Sequence, residues 1–303
     1  MRQDKLFKHL SVQKAEQKYF TVLIRALYKG NFGILEGKLF FLNDDNLKLV
    51  ENLWKFISWS VLIQSPNWTN TSHLEGFLEK LLTTPNKIIQ PFIILCPTYK
   101  KDGTPGLNDK LGRTSKVGIT NFLILISKLE EMLGNFYKID PLCYFGTLAI
   151  EQYDKLDKEE WIKQIKNNLI MLEEELSKLD KRIKIIRTDD ILELEEKIGY
   201  AGFIDKALID RNKDRIKTII DRNRAFYVAK MGWSTEDSDT RSNNSITTYN
   251  ILGQYFSTNI INPVFLYTAN SYEKAIAYNL ENSPKLWILY PKKDENKSII
   301  EFN

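Results

Sequence analysis

The sequence predicts an α/β protein, a Rossmann-like and mostly parallel sheet flanked by helices, preceded by a mainly helical N-terminal region. Three observations predict it. From Pro91 onward, short apolar runs alternate with longer segments of helical periodicity, the pattern of parallel strands joined by right-handed crossovers. The leading run, Phe92–Cys96, is continuously apolar rather than alternating, as in a strand buried on both faces. Before residue 89 the apolar residues fall at helical spacing, so 1–88 reads as the helical region and 89–303 as the Rossmann-like domain.

In the N-terminal region, Lys5–Leu27, Leu47–Leu62 and Leu74–Leu82 each place apolar residues on one helical face. Gly30, Gly33 and Gly37 around Phe32, Ile34 and Leu35 predict a turn or short hairpin. Thr71 or Ser72 is placed to cap the third helix. The first strand, Phe92–Cys96, has Pro91 and Pro97 at its ends, where a missing N–H need not break a ladder. It is followed by helix Val117–Leu133, strand Leu142–Ile150, helix Lys158–Leu179 and strand Ile183–Ile186. Helices are expected at Ile191–Lys197, Phe203–Lys230 and Ser245–Phe256, then strands Val264–Tyr267 and Leu286–Tyr290 around a helix near Tyr272–Tyr278.

Composition narrows the chemistry. A chain of 303 residues with 43% hydrophobic and 27% charged residues is long and apolar enough for a sizeable core. A net charge of +4 permits a phosphate-bearing partner without requiring one. The two cysteines, Cys96 and Cys143, lie in apolar runs and read as buried thiols, which with a charged N-terminus suits a reducing, cytoplasmic setting. No apolar run approaches a membrane span, so no membrane partner is expected. With His9 and His73 the only histidines, a histidine-based metal site or Ser–His–Asp triad is disfavoured, and neither metal nor cofactor is assigned.

Candidate site residues follow the strand ends, because ligands of open parallel sheets sit beyond the carboxyl ends of the strands. After the first strand come Lys100 and Lys101, then Arg113-Thr114-Ser115-Lys116 where a helix begins. There is no GxGxxG and no P-loop pattern. Helix N–H groups, hydroxyls and cations together suit a phosphate or carboxylate, and a capped helix beside solvated charges has the same composition. A desolvated Lys100 or Lys101 suits a Schiff base or phosphate contact, and a solvated turn is the plainer alternative. Asp190 follows the third strand as a helix cap or an acceptor for a substrate amine. Residues 222–242 combine both charges with aromatics and read as a break between helices, suited to a zwitterionic substrate or to internal salt bridges; Arg241 lies among them. Asn270 and Lys274 follow the fourth strand.

In order, Pro97, Lys100, Leu111-Gly112, Phe136-Tyr137, Phe145-Gly146, Ile186-Arg187 and Asp190-Ile191-Leu192 resemble the isocyanide (isonitrile) synthases of pyoverdine and dityrosine biosynthesis, as does the segment Leu266–Ile276. Where that family ends its last strand in a Ser-Ile-His type motif, this chain has Leu266-Tyr-Thr-Ala. The resemblance implies conversion of an amino acid's α-amine to an isocyanide, with ribulose 5-phosphate as carbon donor. It implies Lys100 and the Arg113–Lys116 group as phosphate or carbonyl contacts and Lys274 as a further substrate contact; taken with the residue reading, Lys100, Asp190 and Lys274 are the expected catalytic residues. Lys101, Arg113, Thr114, Ser115, Lys116, Arg241 and Asn270 would bind the amino acid and the sugar phosphate. The layout also resembles the tRNA-dependent cyclodipeptide synthases, with a polar helix after the third strand and a Tyr-rich helix at Tyr249–Ile260, although Cys96-Pro-Thr98 replaces their Gly-x-Ser turn. That resemblance implies aminoacyl-tRNA as partner. A non-catalytic binding protein on an enzyme-like scaffold is the third alternative.

Overall fold

A computed structural model describes residues 17–29, 34–35, 38–39, 44–63, 71–95, 116–145, 158–187, 214–268 and 286–290. In chain order these form α1 (Gln17–Lys29), β1 (Ile34–Leu35), β2 (Lys38–Leu39), α2 (Asp44–Ile63), α3 (Thr71–Thr83), β3 (Ile88–Leu95), α4 (Lys116–Leu133), β4 (Lys138–Ile139) and β5 (Leu142–Phe145). They continue with α5 (Lys158–Leu179), β6 (Lys184–Arg187), α6 (Asp214–Met231), α7 (Thr235–Asn259), β7 (Pro263–Thr268) and β8 (Leu286–Tyr290). The antiparallel pair β1–β2 is the short hairpin expected near Gly33 and Gly37.

The main sheet runs β6-β5-β3-β7-β8, with β4 also paired to β3, and every pairing is parallel. β4 and β5 keep one register against β3 (Ile88 opposite Lys138, Phe92 opposite Leu142), so they act as one interrupted strand. Counted that way, the order is third, second, first, fourth, fifth. This is the Rossmann order, reversing direction between β3 and β7.

Strand β3 starts four residues before the expected Phe92, which puts Pro91 inside the central strand rather than at its end. The Gln90 N–H is bonded to the Ile261 carbonyl, toward β7. Strand alternation then turns the Pro91 nitrogen the other way, toward the Asp140–Pro141 step that separates β4 from β5. The missing donor coincides with the break between β4 and β5, while the Asp140 N–H still donates to the Ile89 carbonyl at 3.0 Å and holds the register.

The two faces of the sheet are covered differently. On one, Ile93, Leu95, Cys143, Phe145, Val264, Leu266 and Ile288 join a core shared with Leu125 and Leu129 of α4, Leu172 and Leu176 of α5, and buried residues of α1–α3. Both α2 and α3 contact β8, so the N-terminal helices share this core with the sheet. On the other face Phe92, Ile94, Leu142, Tyr144 and Phe265 meet Leu252 and Phe256 of α7 and Ile260, the residue that caps it. The rings of Phe92 and Phe256 pack edge to face at 4.8 Å, and those of Tyr144 and Phe256 at 5.2 Å. Burial also pushes the Tyr137 phenol up to about 12, with its hydroxyl donating to the Leu81 carbonyl at 3.2 Å.

The expected break at 222–242 is corrected to three residues, 232–234, and the helix expected at Ser245–Phe256 begins at Thr235. The local chemistry explains it. Gly232 takes a φ of +67°, a left-handed conformation open to glycine that ends α6. Ser234 then caps α7, its hydroxyl accepting from the Asp237 N–H at 3.1 Å, with Glu236 and Asp237 in the first turn complementing the helix dipole. The expected helices at Ile191–Lys197 and near Tyr272–Tyr278 lie outside the described residues.

Candidate active site at the carboxyl edge of the sheet

The reversal falls between β3 and β7, which end at Leu95 and Thr268, and in sheets of this order ligands sit in the crevice past those carboxyl ends. Several candidate residues follow, in sequence, the strands that end at this edge. Lys100 and Lys101 follow β3, Asp190 follows β6, and Asn270 and Lys274 follow β7; all five, with Arg113, Thr114 and Ser115, lie outside the described residues. Lys116 opens α4, the helix that leaves this edge. Arg241 lies in the second turn of α7 rather than in a loop.

At the end of β6, Arg187 is engaged by α5, its Nε donating to Glu173 Oε1 at 2.9 Å. In the α6–α7 hairpin, Arg224 donates to Asp221 at 2.9 Å and Asp239 at 3.1 Å, and Tyr227 stacks on Trp233 at 4.9 Å and 15°. Of the two alternatives for this polar segment, these residues follow the internal salt-bridge pattern.

Two polar residues that the sequence reading passed over are fully buried on α7: Ser238 and Ser242. The Ser242 hydroxyl donates to the Ser238 carbonyl at 2.7 Å, while the Ser238 hydroxyl has no hydrogen-bond partner among the described residues. Their positions follow from helix geometry. From Phe256 back to Ser238 is 18 residues (256 − 238), five turns, so the two share a face, and Ser242 lies about 40° away. Along the axis Ser242 is about 21 Å and Ser238 about 27 Å from Phe256. Strand β3, by contrast, ends only three residues after Phe92, the ring that Phe256 touches, or about 10 Å. The sheet-facing stripe of α7 therefore continues beyond the carboxyl edge and changes from apolar to serine as it does so. A helical-wheel alignment to Phe256 was the sequence signal that could have found these residues.

Elsewhere, a groove of about 570 Å³ lies between α2 and the turn after α4, lined by residues such as Lys48, Glu51, Lys55 and Phe136. It sits near the opposite edge of the sheet, and none of these side chains is fully buried. Among the described residues no group of three His, Cys, Asp or Glu is placed to hold a metal, and no helix is long and apolar enough to cross a membrane.

No protein-family model matches the chain, and no curated protein is detectably similar to it. Among solved structures, it is similar to a tyrosyl-tRNA synthetase from Archaeoglobus fulgidus complexed with L-tyrosine, at 10% identity over 82% of this chain and 68% of that one, with a TM-score of 0.46. The α/β assignment rests on the chain's own strand order.

Proposed function

We propose that the protein is an enzyme that converts the α-amine of an amino acid to an isocyanide, with a pentose phosphate as carbon donor, in the crevice between β3 and β7. The observation that carries this reading is the strand reversal. It sets the carboxyl ends of β3 and β7 side by side, and in sequence Lys100 and Arg113–Lys116 follow the first of them and Asn270 and Lys274 the second, which supports a shared site. Lysine and arginine at the start of α4 suit the phosphate, because helix N–H groups and cations favour an anion there. Asp190 and Arg241 suit the two charges of the amino acid.

A second reading, a tRNA-dependent cyclodipeptide synthase-like transferase, is favoured by the crossover from β6 to β7. Its described part holds two long helices, a largely exposed and polar α6 and an α7 that sets Tyr255 and Phe256 toward the sheet.

Thermal-shift measurements separate the readings, since a ligand that binds the native state raises its melting temperature. A larger shift with ribulose 5-phosphate than with inorganic phosphate supports the first. A shift with aminoacyl-tRNA alone supports the second, and no shift with either points to a non-catalytic scaffold. On the first reading, Lys100→Ala and Lys116→Ala weaken ribulose 5-phosphate binding while stability changes by less than about 0.5 kcal/mol. Unchanged binding in both variants removes these lysines from the site.

A further inference from the structure

We propose that Ser238 and Ser242 of α7 form a subsite for an uncharged hydroxyl of the ligand, the polyhydroxy part of a sugar phosphate rather than its phosphate. This rests on the pentose-phosphate reading above and assigns it residues that neither the strand ends nor the resemblance indicated.

Three observations converge. Ser238 is fully buried, yet its hydroxyl has no partner among the described residues, an arrangement that costs stability in a folded protein unless something else completes it. Its position on α7 is in line with Phe256, the residue that packs on Phe92 and Tyr144, so it faces the sheet side of the helix. Its distance along the axis carries it past the carboxyl ends of β3 and β5, where a ligand of this strand order sits.

The chemistry of the pair selects the ligand group. The proton of Ser242 is committed to the Ser238 carbonyl, which leaves the Ser242 oxygen as an acceptor. Ser238 retains both a donor and an acceptor. A group that donates to one serine and accepts from the other completes both, and a hydroxyl does this. The nearest acidic residues are engaged elsewhere, Asp237 with Ser234 and Asp239 with Arg224, so this stripe offers no described counter-charge. A phosphate or ammonium buried against two neutral hydroxyls would lack compensation.

The test compares the full-length parent with Ser238→Ala by calorimetric titration of ribulose 5-phosphate and of inorganic phosphate, with melting temperatures of the free proteins. Losing one neutral hydrogen bond lowers the preference for the sugar phosphate over phosphate by about fivefold to tenfold. Inorganic phosphate binding stays unchanged, and the free variant melts at or above the parent because an uncompensated buried hydroxyl is gone. An unchanged preference, or a free variant that melts clearly below the parent, overturns the assignment while leaving the pentose-phosphate reading intact. A parent that binds both ligands equally overturns both.

Discussion

The two edges of the sheet use their buried polar groups differently. At the amino edge the buried polar side chains tie neighbouring strands together. The Gln90 side chain donates to Asp140 Oδ2 at 3.0 Å and accepts the Ile261 N–H at 2.7 Å, which spans the central strand beside Pro91. Lys184 donates to both Asp140 oxygens at 2.9 Å. Asn262, at a φ of +43°, donates to the Ile88 carbonyl at 2.8 Å. At the carboxyl edge the described buried polar groups include Ser238 and Ser242, which lie on one helix and join no strand to another. Each edge thus keeps one buried acceptor or hydroxyl unpartnered among the described residues, Asn262 Oδ1 at the amino edge and the Ser238 hydroxyl at the carboxyl edge, and the difference is that the amino-edge side chains also cross-link the strands.

Three substitutions sharpen this contrast. The largest effect belongs to Phe256→Ala, which removes the ring joining α7 to Phe92 and Tyr144 and so loosens the helix that reaches from one edge to the other. Chemical denaturation should show a loss of about 3–5 kcal/mol. A loss under about 1 kcal/mol would mean that α7 is not held by the sheet.

Next is Asp140→Ala, which leaves Gln90 and Lys184 facing a lost acceptor and costs about 1–3 kcal/mol at neutral pH, with ribulose 5-phosphate binding unchanged. Burial alone would raise the Asp140 carboxyl, but hydrogen bonds from Lys184 and Gln90 and the charges of Lys184 and Lys138 outweigh it and hold the group below its ordinary value. A carboxyl lowered in the folded state adds stability above its unfolded value, about 3.9, and loses it as pH falls through the folded value. The parent should therefore lose stability in the acid range below about pH 4 more steeply than Asp140→Ala. Equal slopes in urea titrations across that range would separate Asp140 from the acid response.

The smallest effect is Asp239→Ala on the α6–α7 hairpin, where Arg224 keeps its bond to Asp221 and both partners are well exposed. Equilibrium unfolding should register about 0.2–1 kcal/mol.

Much of the fold was legible because its signals are local. Leu286–Tyr290 and Lys158–Leu179 carry their periodicity within their own residues, and the structure places those elements at those bounds. Pro91 misled the reading of β3, because whether a central strand can take a proline depends on the strand beside it, and the residues there, Asp140 and Pro141, are remote in sequence. The amino-edge network was illegible for the same reason, since Ile261 and Gln90 stand 171 residues apart. The α6–α7 break was misplaced because serines, charges and asparagines over 234–245 suggest a loop by composition. The polar face of α7 at Ser238 and Ser242 hid a helix whose amphipathicity changes along its length. The strand order that defines the crevice depends on pairings between distant segments and needed the structure.

The packing of α2 and α3 against β8 also sets an order of assembly. Residues 44–83 emerge early in synthesis, but the strand they cover is Leu286–Tyr290, added after every other described strand. Until then the apolar faces of these helices lack part of their native partner. Contacts of such long sequence separation slow folding and leave hydrophobic surface open to wrong association. The protein completes its N-terminal layer only once nearly all of its sheet has been made, so the first helices synthesised are among the last to reach their full packing.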